Sequence, residues 1–189
     1  MEAGEYSPIM YKSDLYYPIE SGTFWYCDSP YEPGCTSYGN SIPRVCTWGI
    51  FIDRASGELF YYLNMHMDHS SQESREKSVA QLLDFVDSRR GDGLPFVLTG
   101  DFNNNSENST EIIALREYGF ADTFRVLYPD AVDVGTFNSF VGTTTGAKID
   151  FVWVSQWTEV EVTQASIIHD NDNGRYPSDH FPVDATITL

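Results

Sequence analysis

The stretch FVLTGDFN at residues 96–103 decides the fold. It opens with four apolar or β-branched residues and continues into Gly100, Asp101 and Asn103. A short apolar run with a proline before it and a glycine after it is typical of a buried strand. A carboxylate at the end of such a strand is costly to desolvate without partners, so the pattern indicates a functional cluster. A simple turn, which Asp and Asn both favour, is the alternative.

Three further segments end a hydrophobic strand in polar, ionisable residues. They are YYLNMH at residues 61–66, KID at residues 148–150 and SDHFPV at residues 178–183. Each segment has a structural alternative: His66 could be an ordinary strand histidine, and Asp150 could pair with Lys148. Asp179 and His180 could belong to a capped loop, although a carboxylate that orients an imidazole is a recurrent catalytic arrangement. Together the four clusters predict one site, whose carboxylate and amide oxygens suit a hard cation such as Mg²⁺.

The other patterns outline the elements around this site. RVCTWGIFID at residues 44–53 and ELFYYLNM at residues 58–65 flank a turn, which predicts a hairpin. A capping box at residues 70–73 opens a helix that ends near Gly91, and a second helix runs from Ser109 or Thr110 to Gly119. Further strands are expected at residues 8–11, 22–26, 95–99, 149–154 and 183–189. Many antiparallel strands with a few covering helices predict an α+β fold of stacked sheets with helices outside.

The composition indicates one acidic globular domain over residues 1–189. Its 28 acidic and 11 basic residues give a net charge of −17. A protein that grips DNA or RNA usually carries a basic footprint, so the charge disfavours a nucleic-acid partner; acidity that only keeps the chain in solution is the alternative. No apolar run approaches the roughly 20 residues of a membrane helix, and no secretory signal opens the chain. A soluble protein without a membrane span is expected.

Three cysteines lie close together without the spacing of a metal motif: Cys27, Cys35 and Cys46. One disulfide among them and three buried thiols are both consistent with the sequence. Two glycosylation sequons, at residues 104–106 and 108–110, favour a secreted protein slightly and leave the compartment otherwise open.

The motifs, taken in order, resemble the endonuclease/exonuclease/phosphatase superfamily, which has the deoxyribonuclease-I-like fold. The resemblance covers essentially the whole chain, and GDFN followed by a C-terminal SDHFPV is its most specific part. An opening GEYSPIMY and a later SGTFW are similar to a short bacterial or fungal branch. The matching segments are residues 4–11, 21–25, 64–69, 99–103, 149–151 and 178–183.

The resemblance implies a four-layer α/β-β/α sandwich that hydrolyses a phosphoester with Mg²⁺ or Mn²⁺. In this family pattern, Asp101 orients and helps to deprotonate the attacking water. Asn103 holds the scissile phosphate or that water. Phosphoryl transfer needs positioning and charge neutralisation more than covalent help, which agrees with these residue types.

The same resemblance implies roles for the two histidines. His180 hydrogen-bonds a phosphate oxygen and stabilises the negative charge that develops in the transition state. His66 contacts the phosphate from the opposite side, and Asp150 fixes its ring. Asp179 orients His180 or lies near the metal, and is the metal ligand expected on this chain.

The chain departs from the family pattern at its start. The family domain opens with strands that carry an active-site Asn and a metal-binding Glu, and neither segment has a counterpart here. Glu2, Glu5 and Glu20 are the early acidic residues, and none lies in the family's ligand context. The sequence is therefore interpreted as the C-terminal two-thirds of the family domain, N-terminally incomplete. A dimer or a complementing N-terminal fragment is expected to cover the unpaired strands.

Three functions compete at this point. A phosphatase or phosphodiesterase for a small or medium phosphoester is the leading hypothesis. A nuclease is the alternative, which a basic groove near Arg44, Lys148 and Arg175 would favour. In that case exposed aromatics would stack on bases, with Trp25, Trp153 and Tyr176 as the candidates. An inactive fragment or phosphate-binding pseudoenzyme is the third, because the family's metal-ligand Glu is not found.

Overall fold

Two β-sheets form the frame of the computed structural model, which describes residues 5–189; Glu2 and Gly4 lie outside them. The strands of the larger sheet are β1 (Tyr16–Trp25), β2 (Val45–Asp53), β3 (Leu59–His66), β4 (Phe96–Asp101), β5 (Phe120–Asp122) and β6 (Asp150–Ser155). They pair in the order β1-β2-β3-β4-β6-β5. The smaller sheet is an antiparallel pair of β7 (Glu161–Ile167) and β8 (Val183–Thr188).

One strand pair of the larger sheet is parallel. Strands β3 and β4 run in the same direction, whereas the other neighbours in this sheet are antiparallel. A parallel pair needs a crossover connection, and the helix α1 (Gln72–Arg90) supplies it. As a result β3 and β4 end at the same edge of the sheet.

The helices begin and end where local signals place them. Helix α1 is capped by Ser71, whose hydroxyl accepts from the backbone N–H of Ser74, so the predicted box at residues 70–73 is one residue early. Helix α2 (Thr110–Tyr118) ends at Gly119, whose φ of 114° favours glycine. Helix α3 (Thr123–Leu127) is capped by Asp122 and contacts both β6 and β7.

Alternation along β3, β4 and β6 gives the larger sheet two different faces. One face packs on α1 and α2 and forms the core; its members include Leu63, Met65, Leu98, Trp153, Leu82, Val86, Ile112 and Leu115. The other face turns towards β8, and a cavity of about 530 Å³ lies between them, lined by residues that include Asn64, Val97, Thr99, Val183, Ala185 and Ile187. The layered α+β architecture predicted from the sequence is confirmed.

Several elements differ from the sequence-based expectation. Residues 8–11 are not in a strand; the carbonyl of Pro8 accepts instead from the side chain of Asn64 at 2.9 Å. The strand expected at residues 22–26 is the end of the longer β1, whose first half is mostly exposed and contains Pro18. Strands β5 and β7 and helix α3 were not expected, because they are short or lack a continuous apolar pattern.

Cys27 and Cys35 form a disulfide, and Cys46 is a buried free thiol whose pKa is raised by burial. Of the two sequons, Asn104 is buried and Asn108 is exposed. Within residues 5–189, no helix is long and apolar enough to span a membrane.

Gly100 should be intolerant of any side chain. Its φ is 148°, and an added Cβ would overlap the carbonyl oxygen of Met65 on β3. We expect Gly100→Ala to lower the free energy of unfolding by more than about 3 kcal/mol, because backbone strain and steric overlap add. Gly57→Ala is the matched control, since Gly57 has a φ of 81° with open space around it; its cost should be about 1 kcal/mol. Urea denaturation of both variants measures the difference, and equal losses would contradict the steric reason.

Candidate active site

Three neighbouring strands bring His66, Asp101 and Asp150 into one row across the sheet. The β3–β4 register pairs His66 with Asp101, and the β4–β6 register pairs Asp101 with Asp150. Partners in adjacent strands have side chains on the same face of the sheet, about 5 Å apart. The Nε2 atom of His66 lies 3.3 Å from Oδ2 of Asp101. Asp101 therefore occupies the middle of the row, with a histidine on one side and a second carboxylate on the other.

His180 reaches the same row from the segment that precedes β8. Its Nδ1 lies 2.8 Å from Oδ2 of Asp150, and its Nε2 lies 3.9 Å from Oδ2 of Asp101. The expectation that Asp150 fixes the ring of His66 is therefore wrong: Asp150 orients His180. The strand order gives the reason, since Asp101 on β4 stands between the strands of His66 and Asp150.

Glu5 and Arg44 are site residues that the sequence patterns did not identify. Oε2 of Glu5 lies 3.1 Å from Nδ1 of His66, so this carboxylate orients the ring instead of Asp150. The buried Arg44 donates from Nη1 to Glu5, and its Nη2 lies 2.9 Å from Nδ1 of His69. Glu5 belongs to the GEYSPIMY motif, and this motif was the one signal in the sequence that could have pointed to Glu5. The neighbouring residues do not indicate which side chain Glu5 contacts.

The loop after β4 fixes Asp101. The backbone N–H of Asn103 donates to Oδ1 of Asp101 at 2.8 Å, and the Asn103 side chain donates to the carbonyl of Met67 at 3.0 Å. Asn103 has a positive φ of 48°, a conformation that Asn tolerates better than most residues. These bonds hold Oδ1 of Asp101, and they leave Oδ2 directed at the two histidines.

The titration properties of the three central groups differ. Burial, and next the charge of Asp150, raise the pKa of Asp101 to about 7. The hydrogen bond that Nδ1 of His180 donates to Asp150 is the main cause that raises the pKa of His180. Burial, and next the charge of Arg44, lower the pKa of His66. The site therefore contains a carboxylate, Asp101, whose pKa is close to neutral pH. The surroundings of His180 favour its protonated form, and those of His66 favour its neutral form.

Asp101, Asp150 and His180 could hold a metal ion. Each offers one ligand atom, and these atoms lie within 4.8 Å of one another. Asp179, the metal ligand expected from the sequence, is not in this group. It is half-buried, and its carboxylate accepts from the hydroxyl of Ser178 at 3.3 Å. Its assignment as a ligand stays a prediction.

A basic groove that would favour the nuclease alternative is not formed by Arg44, Lys148 and Arg175. Arg44 and Lys148 are each 2% exposed and face carboxylates, so they cannot present their charges to a polyanion. Arg175 is exposed and pairs with Asp172. Of the aromatics proposed to stack on bases, Trp153 is in the core.

Comparisons with known proteins show what this chain is similar to. The model of the Endonuclease/Exonuclease/phosphatase family matches residues 13–180. A mannosyl-6-phosphatase of Bacteroides thetaiotaomicron is similar in structure, with a TM-score of 0.82 and 29% identity over 95% of this chain and 69% of that one. A family protein from Bacteroides vulgatus has a TM-score of 0.81 and 30% identity, over 95% of this chain and 68% of that one. The human Nocturnin catalytic domain shares the fold, with a TM-score of 0.72. Its identity is 15%, over 93% of this chain and 61% of that one. Comparison with curated proteins gives no match.

Asp150→Asn should lower the pKa of His180. The variant keeps an oxygen for the Nδ1–H of His180 but removes the negative charge that favours the protonated ring. The side-chain NMR signals of His180, followed against pH in chelator-treated protein, measure this change. Asp179→Asn is the control, because Asp179 acts on His180 only through space and contributes least to the shift. A larger effect of Asp179→Asn would contradict the assignment of Asp150 as the orienting group.

Proposed function

The chain belongs to the endonuclease/exonuclease/phosphatase family, whose members hydrolyse phosphoesters, and we propose that it does so with a divalent cation at the Asp101 site. The observation that carries the proposal is the position of Asp101 between the Nε2 atoms of His66 and His180. This arrangement places a base and two oriented imidazole rings within reach of one small ligand.

Asp101 is the group proposed to activate water. A general base works best when its pKa is near the working pH, and burial together with Asp150 raises the pKa of Asp101 to about 7. The backbone of Asn103 fixes one carboxylate oxygen, so the other oxygen is available to take a proton from water. One N–H of the Asn103 side-chain amide donates to the carbonyl of Met67, and its second N–H can donate to the phosphate or to that water.

The two histidines are proposed to hold the phosphate from opposite sides. His180, whose protonated form Asp150 favours, donates from Nε2 to a phosphate oxygen and stabilises the charge that builds up there. His66, oriented by Glu5, contacts the phosphate from the other side. Fixed donors of this kind cost no reorganisation during the reaction, which is why they favour the transition state.

The donor set fits a hard divalent cation such as Mg²⁺ or Mn²⁺. Two carboxylates lie side by side, and the repulsion between Asp101 and Asp150 contributes to the raised pKa of Asp101. Asp101 and Asp150 would hold the ion, with Asp179 as a further candidate ligand. When bound, the cation would neutralise phosphate charge and lower the pKa of a water molecule.

A phosphomonoester of a small molecule, of the phosphosugar type, is the proposed substrate class. The support is the likeness to a mannosyl-6-phosphatase at 29% identity and the acidic surface, which disfavours a long polyanion. The buried positions of Arg44 and Lys148 weigh against nucleic acid for the same reason. A pseudoenzyme is disfavoured because a base and two oriented histidines converge on one row.

Hydrolysis assays with Mg²⁺ test the reaction and the substrate class together. We expect phosphate release from p-nitrophenyl phosphate and mannose 6-phosphate, and much slower turnover of bis-p-nitrophenyl phosphate and single-stranded DNA. Asp101→Asn and His180→Asn should each lower kcat on the order of 10²–10³-fold, since each removes a group that acts in the transition state. Asp172→Asn, at an exposed carboxylate outside the row, is the control. Faster turnover of DNA than of either monoester would contradict the substrate class, and equal rates for all variants would contradict the site.

The metal assignment makes a separate prediction. Asp150→Asn should raise the Mg²⁺ concentration for half-maximal activity about tenfold or more, because a ligand charge is lost. Asp179→Asn should do the same if it is also a ligand, whereas Asp172→Asn should not. Calorimetry of Mg²⁺ binding measures the same differences without substrate. Unchanged Mg²⁺ affinity in both Asp150→Asn and Asp179→Asn would place the cation elsewhere.

A further inference from the structure

Lys148 is a buried cation that lies behind the row of site residues. Its side chain is 1% exposed and donates from Nζ to two acceptors, Oδ2 of Asp122 and the backbone carbonyl of Asp150, both at 3.0 Å. The ammonium group also lies 3.5 Å from the centre of the Phe151 ring. The local pair between Lys148 and the Asp150 carboxylate, considered from the sequence, is therefore replaced by a contact with the Asp150 backbone.

The charge of this lysine is not explained by stability alone. Burial lowers the pKa of Lys148 and raises the pKa of Asp122. Removing both charged groups from water therefore costs free energy. Replacing a buried ion pair by neutral residues of similar volume is often neutral or stabilising. A role that depends on geometry is the better account of why a lysine occupies this position.

The geometry connects Lys148 to β6, which begins at the site, and to the loop after β4, which ends there. At one end, Nζ holds the carbonyl of Asp150, the first residue of β6. At the other end, the carbonyl of Lys148 accepts from the side chain of Asn104 at 3.0 Å, in the loop that follows β4. Lys148 thus contacts the backbone of Asp150 and, through Asn104, the loop after Asp101, while its side chain touches neither carboxylate.

The elements around Lys148 make this support rigid. Asp122, its charge partner, also caps α3 by accepting from the N–H of Phe124 at 3.1 Å. The hydroxyl of Thr123, the next residue, donates to the carbonyl of Val152 on β6 at 2.9 Å. Two successive residues at the start of α3 therefore anchor β6, one of them through Lys148.

We propose that Lys148 is a positioning residue, whose Nζ hydrogen bond to the Asp150 carbonyl sets the orientation of the Asp150–His180 pair. This inference rests on the proposed hydrolysis at the same site. Because Nζ is buried, Lys148 cannot touch a substrate. Oδ2 of Asp122 balances the charge of Lys148, while Oδ1 of Asp122 caps α3. Stability should therefore follow the balance of the two charges, whereas catalysis should follow the single hydrogen bond to Asp150.

Three variants separate these effects. Lys148→Met leaves the buried Asp122 carboxylate without its charge partner and should lower Tm by about 10 °C. Lys148→Met with Asp122→Asn removes both charges and should recover Tm to within about 4 °C of the wild type. Asp122→Asn alone lowers Tm but keeps the donor, since even an uncharged Lys148 donates to the Asp150 carbonyl.

The kinetic expectation differs from this order of stability. Both variants that contain Lys148→Met should lose about tenfold or more in kcat towards p-nitrophenyl phosphate with KM within about twofold, because a shift near 1 Å at the reacting groups costs up to 10²-fold. Asp122→Asn should keep kcat within about twofold of the wild type. If the kcat values instead follow Tm, so that the double variant recovers its activity, Lys148 is structural and the proposal is overturned.

A second measurement does not depend on turnover. In chelator-treated protein at one fixed pH, the carbonyl ¹³C signal of Asp150 and the ring signals of His180 report the pair directly. Both should move in the double variant and stay near the wild-type positions in Asp122→Asn. Unmoved His180 signals in the double variant would overturn the proposal. If the wild type hydrolyses none of the esters but the signals move as expected, the positioning role stands and the proposed function fails.

Discussion

The pairing of β3 with β4 is the constraint on which the site depends. It is the parallel pair of the larger sheet, so both strands end at one edge and deliver His66 and Asp101 side by side. Gly100 makes this possible, since its backbone passes so close to Met65 that no side chain would fit. The next strand, β6, runs in the opposite direction and begins at that edge, which brings Asp150 into the row. Strand direction and one glycine therefore determine the composition of the site.

Charge compensation is the second requirement, because carboxylates near one another are unfavourable in a partly buried site. Each carboxylate of the site has a defined cationic or imidazole partner. Glu5 is held by Arg44 and His66, Asp150 is held by His180, and Asp122 is held by Lys148 behind the row. Asp101 lies between His66 and His180, and its pKa is raised first by burial and next by the charge of Asp150. Its surroundings therefore differ from those of the neighbouring carboxylates.

Local sequence patterns predict the elements that have strong periodicity or caps. The hairpin of β2 and β3, the strand β4 and the helices α1 and α2 follow from alternating or helical apolar residues and from flanking glycines. Strand β5 has only three residues, and most residues of β7 are polar or exposed. Neither strand therefore shows the alternation of apolar and polar residues that predicts a strand. The residues at the strand ends could be identified because polar clusters after apolar runs are unusual.

Their partners could not be identified in the same way. Which carboxylate meets which histidine depends on the order β3-β4-β6 and on the path of the segment before β1, and both are long-range properties. Glu5 lies in a segment without regular secondary structure, where periodicity carries no information. For this reason Asp150 was assigned to His66 from the sequence, whereas the structure pairs it with His180. Residue spacing along the chain does not distinguish the two.

The span of the site along the chain has a consequence for biosynthesis. Glu5 is near the beginning of the sequence and His180 is near its end, yet both contact the same row of side chains. During translation, β3, α1 and β4 can associate early, because their contacts are local in sequence. The Asp150 carboxylate would then lack its His180 partner until the residues around position 180 have left the ribosome. A ribosome-bound chain that stops before residue 180 should therefore fold in part while Asp150 still lacks its histidine partner.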